Sequence, residues 1–164
     1  MQTLDHDQVT GHIAAPPQAV YALIADVTRM PEFSPEIVRC TWLDGANGPA
    51  VGARFVAVNK VGDGPSWKNR PVVVTADSGR EFAFSRTEKF AGTLVWRYVF
   101  EPDGEGTLVT ESYTVTRPIT WLGWLIIRLF GGGPDRRAVI RAGMERTVAR
   151  VRETAEREAR LDTR

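Results

Sequence analysis

The chain has 164 residues, 43% hydrophobic and 25% charged, with a formal net charge of +1. That suits one domain with a sizeable core and excludes a disordered or fibrous protein. A charge so near zero argues against nucleic acid as the main partner, and a lone cysteine, Cys40, leaves no internal disulfide and argues against a cysteine metal site.

Residues 1–8 are polar, carry no signal-peptide pattern and are expected to form a flexible tail. Val9, Gly11 and Ile13 alternate with Thr10 and His12 and predict a first strand. Pro16-Pro17 opens a helix whose apolar face is Val20, Leu23, Ile24 and Val27. Thr28 suits the cap of a short second helix through Phe33, ended by Ser34-Pro35. Ile37 to Leu43 reads as a strand, followed by a loop to Pro49. From there the pattern is strand, turn, strand: Arg54–Lys60, Trp67–Ala76, Glu81–Glu88, Thr93–Glu101 and Thr107–Arg117. Regular spacing of consecutive strands predicts an antiparallel meander.

The run Ile119 to Phe130 is the most apolar in the chain, but Gly123 and Arg128 interrupt it and it is too short to span a bilayer. It is apolar nearly all round. It is expected to be a short helix that packs Trp121, Trp124 and Leu125 over one end of a cavity and leaves Ile127 and Phe130 exposed, as a flap, a membrane-touching patch or a dimer contact. A buried connector also fits the run. Gly131-Gly132-Gly133 breaks the chain and could act as a hinge. A long helix then runs from Pro134 to Arg160, with Ile140, Met144, Val148, Val151 and Ala155 on one stripe. Arg- and Glu-rich faces surround the stripe, including the i,i+4 pairs Glu153–Arg157 and Glu156–Arg160.

This order predicts a single α+β domain over 1–164: a curved seven-stranded antiparallel sheet gripping the C-terminal helix. Ile140, Met144, Val148 and Val151 are expected to pack on Phe82, Phe84, Trp96 and Tyr98. A sheet that curves round a helix without closing on it leaves a hollow, and a lined hollow is a ligand site.

Four stretches carry a resemblance: residues 14–26 with Met30-Pro31-Glu32-Phe33-Ser34-Pro35; Gly52-Ala53-Arg54-Phe55 with Asn59-Lys60 and Trp67; Trp96–Phe100 with residues 103–111; and Gly143–Val148. On these the chain resembles the START-like helix-grip superfamily (SRPBCC), in particular the small bacterial polyketide cyclase/dehydrase-type proteins. The match covers nearly the whole chain and is least good over Pro118–Gly133. It implies the helix-grip fold. Functions in the superfamily range over lipid carriers, hormone receptors and cyclases.

Alternation selects the side chains that face the hollow. The inward rows are Phe55, Ala57 and Asn59; Trp67, Asn69, Pro71 and Val73; Phe82, Phe84 and Arg86; Leu94, Trp96, Tyr98 and Phe100; and Val109, Glu111, Tyr113 and Val115, the more apolar of two choices on the last strand. The candidate ligand-binding residues are therefore Phe55, Asn59, Trp67, Asn69, Phe84, Arg86, Trp96, Tyr98, Glu111, Tyr113, Trp124 and Met144. A carboxylate on an apolar wall must be paired or change its pKa, so Glu111 is expected to be held by Arg86, Asn59 or a tyrosine hydroxyl. These polar groups suit the orientation of a ligand's head, and equally a satisfied network near the strand ends.

No catalytic set emerges. His6 lies in the expected tail and His12 on the outer face, so neither a nucleophilic triad nor a histidine metal site can be built. Gly131–Gly133 lack a phosphate-loop lysine and follow no strand, so no nucleotide cofactor is implied. The expected function is binding of a small hydrophobic or amphipathic ligand, lipid-like or polycyclic aromatic. The alternatives are a polyketide cyclase/dehydratase-type enzyme, which works by shaping a reactive chain and needs few catalytic groups, and a protein-interaction module. The expected setting is cytoplasmic, as monomer or homodimer, with no transmembrane segment and at most transient membrane contact.

Overall fold

The structure, a computed structural model, describes residues 3–130 and 135–164. Strand β1 (His6–Ile13) leads into α1 (Pro17–Ala25), a 3-10 turn at Val27–Arg29 and α2 (Met30–Phe33). Seven further strands follow: β2 (Ile37–Trp42), β3 (Phe55–Asn59), β4 (Trp67–Asn69), β5 (Val72–Asp77), β6 (Glu81–Glu88), β7 (Gly92–Asp103) and β8 (Gly106–Arg117). Helices α3 (Trp121–Phe130) and α4 (Arg136–Asp162) complete the chain.

The strands form two antiparallel sheets, β1-β8-β7-β6-β5 and β2-β3-β4, not one seven-stranded sheet. The break falls inside the expected strand Trp67–Ala76, at Arg70-Pro71. Proline offers no N–H to a ladder. Pro71 instead accepts from the Phe55 amide at 3.2 Å, and Val73 exchanges bonds with Gly52 and Ala53, each at 2.8 Å. Before the break Asn69 pairs with Ala57 in the small sheet; after it Val73 pairs with Phe84 in the large one. The polypeptide thus changes sheets at a proline.

A second correction concerns the N-terminus. β1 starts at His6, so His6, Asp7 and Gln8 pair with Thr114, Tyr113 and Ser112 rather than forming tail. Asp7 is held by Arg141 of α4 at 2.6 Å.

Helix α4 starts at Arg136, with the Asp135 carboxylate accepting from the Ala138 amide at 3.0 Å as its cap. Pro134 and Gly131–Gly133, expected to open the helix and to hinge it, lie outside the described residues. Ile140, Met144, Val148, Val151 and Ala155 are all buried. Each of the four larger side chains stabilises by about 1.5–3 kcal/mol when removed from water. Their neighbours match expectation in part. Val151, with Ala155, joins the larger core of Phe82, Phe84, Tyr98 and Phe100, as expected, and Trp96 packs against the cluster of Ile140, Met144 and Val148. The other members of that cluster are Val9, Leu94 and Tyr113 rather than Phe82, Phe84 and Tyr98. The helix packs chiefly on β1, α1, α2 and β8. Its N-terminal half therefore stands off β6 and the middle of β7, and the hollow lies in that gap.

Helix α3 is fastened to the β6–β7 turn. Thr120 donates to the Phe90 carbonyl through its hydroxyl at 2.8 Å and its amide at 3.1 Å. The same hydroxyl accepts from the Gly123 amide at 3.1 Å and caps the helix. Gly123 is required here, because a Cβ would lie 2.0 Å from the Phe90 carbonyl oxygen. The helix faces opposite to expectation: Trp121 and Leu125 point outward, 73% and 49% exposed, and Trp124 is half-buried. A segment apolar on every side gives no periodic signal for which face turns inward.

Candidate functional site

The gap contains two chambers that share a neck. The inner one has a volume of about 90 Å3, and the outer one about 600 Å3. The inner chamber is walled by Phe84, Trp96, Tyr98 and Glu111 of the large sheet, Phe55, Ala57 and Asn59 of the small sheet, and Ile140, Gly143 and Met144 of α4. Met30, Phe33 and Pro35 close the end beside α2. The outer chamber is walled by Leu94, Ala91, Trp67, Leu4 and Ile140, by Ile119, Ile126 and Ile127 from the α3 region, and on its polar side by Lys68, Arg70, Thr87, Glu88 and Lys89. Asn69, Arg86, Arg136 and Ile140 line both and form the neck. At about 30 Å3 of liquid per water, the inner chamber holds about three waters, the size of a small polar head. The outer one falls in the range of ordinary small-molecule sites.

Alternation along paired strands puts the polar groups here. Tyr98 and Glu111 are direct partners across β7 and β8. The Tyr98 hydroxyl donates to Glu111 Oε1 at 2.9 Å, and Glu111 is 3% exposed. Burial pushes its carboxyl up to about 8, against the smaller opposing effect of the tyrosine bond. Glu111 is thus a neutral acid at pH 7, able to donate its own proton. Of the three partners expected for it, the tyrosine is the one observed.

At the neck, burial lowers the pKa of Arg86, with the nearby Arg136 adding to the effect and Glu88 and Glu36 opposing it. Glu88 lies 3.8 Å from Arg86 Nε and accepts from Asn69 Nδ2 at 3.4 Å. Arg136 makes a bidentate pair with Glu36 at 2.6 and 2.8 Å. Asn59 donates to the Ala57 carbonyl at 3.2 Å. Among the described residues, Asn69 Oδ1, Arg86 Nε, Glu111 Oε2 and Tyr113 Oη are buried atoms without a hydrogen-bond partner in the protein. Such atoms are rare and each calls for a cause; three of the four belong to residues lining the hollow, and Tyr113 lies behind Trp96.

Nine of the twelve candidates line the inner chamber: Phe55, Asn59, Asn69, Phe84, Arg86, Trp96, Tyr98, Glu111 and Met144. Trp67 lines the outer chamber only. Tyr113 is fully buried behind Trp96, rings 5.6 Å apart, and belongs to the core under α4. Trp124 lines neither chamber. Sequence reasoning missed Glu36, Glu88, Arg136, Gly143 and the isoleucines of the outer wall. Arg136 and Arg137 in the first turn of α4 run against the helix dipole, a local sign that a distant acid was required. Cys40 is buried with its Sγ 3.9 Å from Met30 Sδ, and burial pushes its thiol up to about 12, which makes it a poor nucleophile. No helix among the described residues is long and apolar enough to cross a membrane. No cluster of three or more potential metal ligands occurs among them.

A curved antiparallel sheet, a gripped C-terminal helix and a lined hollow between them define an SRPBCC-type fold. The chain belongs to the polyketide cyclase/dehydrase and lipid transport family, whose model matches residues 7–156. Membership supports a ligand-binding or polyketide-cyclase-type role. The Polyketide_cyc-like protein Cgl2372 from Corynebacterium glutamicum is 34% identical, over 96% of this chain and 94% of its own, with a TM-score of 0.59. Two more distant structures share the fold. One is the di-domain ARO/CYC StfQ from the steffimycin biosynthetic pathway, 18% identical with a TM-score of 0.73 over 94% of this chain. The other is CV1439 from Chromobacterium violaceum, 13% identical with a TM-score of 0.69 over 93% of this chain and 99% of its own. The chain spans about half the length of StfQ, 51%. No protein of curated function matches the sequence.

Proposed function

We propose that the protein binds a small amphipathic molecule, lipid-like or polycyclic aromatic, with its polar head in the inner chamber and its apolar body in the outer one. The observation that carries this reading is the division of the hollow. A small chamber holds the neutral acid Glu111 and ends at the two-arginine neck, and a larger chamber with an apolar wall and a charged side opens beyond it. A carbonyl or hydroxyl oxygen on the head would accept from Glu111, and a negatively charged head would sit at Arg86, which stays protonated in any protein site. The apolar body would gain about 25 cal/mol for each Å2 removed from water, which sets affinity more than orientation.

Native mass spectrometry of the gently ionised protein tests this. The expected spectrum carries a retained species of a few hundred daltons, identifiable after release as an amphipathic molecule. Bare protein in every preparation, with no uptake of fatty acids or polycyclic phenols added afterwards, would refute the reading.

A cyclase-type enzyme is the second reading, and the Glu111–Tyr98 pair favours it. A carboxyl held near neutral pH beside a phenol is suited to proton donation and return. Turnover of a model polyketide that is lost in Glu111→Gln while binding is retained would select this reading.

A further inference from the structure

We propose that α3 is a docking element that seats the mouth of the outer chamber on an anionic lipid surface. Trp121, Leu125 and Leu129 recur every four residues and share one face of the helix. They are 73%, 49% and 71% exposed. Phe90, itself 38% exposed, lies in the β6–β7 turn to which Thr120 and Gly123 fasten the helix. Adjacent large apolar groups facing water are uncommon on a soluble monomer and mark a contact surface. On the other side of the same helix, Ile126 and Ile127 line the outer chamber. A single helix therefore separates the chamber from whatever the outer face meets.

Charge indicates what that is. α3 contains no acidic residue, and its Arg128 is exposed. Lys89 is exposed in the turn that holds the helix, its ammonium 5.4 Å from the Phe90 ring centroid. Arg117, just before α3, is exposed and donates to the Glu88 carbonyl at 2.8 Å. Lys68 and Arg70 are exposed at the chamber's rim. Tryptophan and leucines bordered by lysine and arginine suit the interface of an anionic bilayer, where the rings enter the headgroup region and the cations meet phosphates. A second copy of the chain suits the patch less well. A two-fold contact sets a surface against itself, and a helix with Arg128 and no acidic residue would then meet a surface of the same sign. Docked on lipid, the chamber could exchange an apolar molecule without exposing it to water.

The full chain would be sedimented with vesicles of phosphatidylcholine, and of phosphatidylcholine with phosphatidylglycerol in equal parts. Wild type should follow the anionic vesicles. Trp121→Ser combined with Leu125→Ser, and separately Arg128→Glu, should each weaken this by about tenfold or more, as should added salt. Melting curves should not change, since these side chains already face water. Failure of wild type to bind, or equal binding to both kinds of vesicle, overturns the proposal. So does a dimer on a sizing column that the double variant dissolves, which would assign the face to a second copy. A fall in melting temperature in the double variant would show that the row is core. Fluorescent-probe uptake by the chamber is read in parallel, so loss of vesicle binding with uptake retained separates this proposal from the ligand site itself.

Discussion

The Tyr98 hydroxyl and the Glu111 carboxyl meet at 2.9 Å inside the hollow, and this is the one buried hydrogen bond that Glu111 makes to a side chain among the described residues. Glu111 titrates at about 8 in the folded protein, against an ordinary value of 4.5. Between these values the unfolded chain has lost the proton and the folded chain keeps it. Glu111 therefore costs stability that grows as pH rises through this window and levels off above it. Glu111→Gln, which cannot ionise, should become progressively more stable than wild type from pH 5 to pH 8, by on the order of a few kcal/mol at the upper end in urea melts. A difference that shrinks with pH would mean the carboxylate is stabilised in place.

Tyr98→Phe removes the one interaction that holds Glu111 down. The Glu111 carboxyl, followed by carbon NMR, should then titrate above the wild-type position near 8. A downward movement would show that the tyrosine does not donate to it.

Arg136→Met should destabilise the protein by about 3 kcal/mol, since it leaves the part-buried Glu36 without its bidentate partner. Adding Glu36→Leu should recover most of the loss in urea melts. If the double variant is no better than the single one, the pair is not the unit that matters.

Met144 is 1% exposed beneath α4. Met144→Asp should lower stability by roughly 3–5 kcal/mol, because a charge would enter an apolar contact. An unchanged melting temperature would reject the placement of the helix.

Much of this was legible because alternation in strands and the stripe in α4 are local signals. Phe82, Phe84, Arg86, Trp96, Tyr98 and Glu111 fall in the inward rows as read. What was not legible depends on distant partners. Pro71 could have ended an edge strand or redirected it, and the amides of Phe55 and Val73 decide that. Met144 is buried whichever strand it meets, so the stripe could not reveal that the N-terminal half of α4 leans on β1 and stands off β6. Tyr113 and Trp96 occupy the same face of neighbouring strands, yet the first sits under the helix and the second in the gap.

The ligand site is tested most directly by filling it. Gly143 lines the inner chamber, and a Cβ built on it would approach nothing closer than Pro35 Cγ at 3.8 Å. Replacing a helical glycine should also favour the helix by up to about 1 kcal/mol. Wild type and Gly143→Leu would be titrated with anilinonaphthalene sulfonate, an apolar ring system with an anionic head, and melted side by side. Saturable one-site uptake by wild type, weakened tenfold or more in a variant that melts no lower, is the predicted result. Equal affinity in both proteins, or no uptake by wild type, would contradict the account.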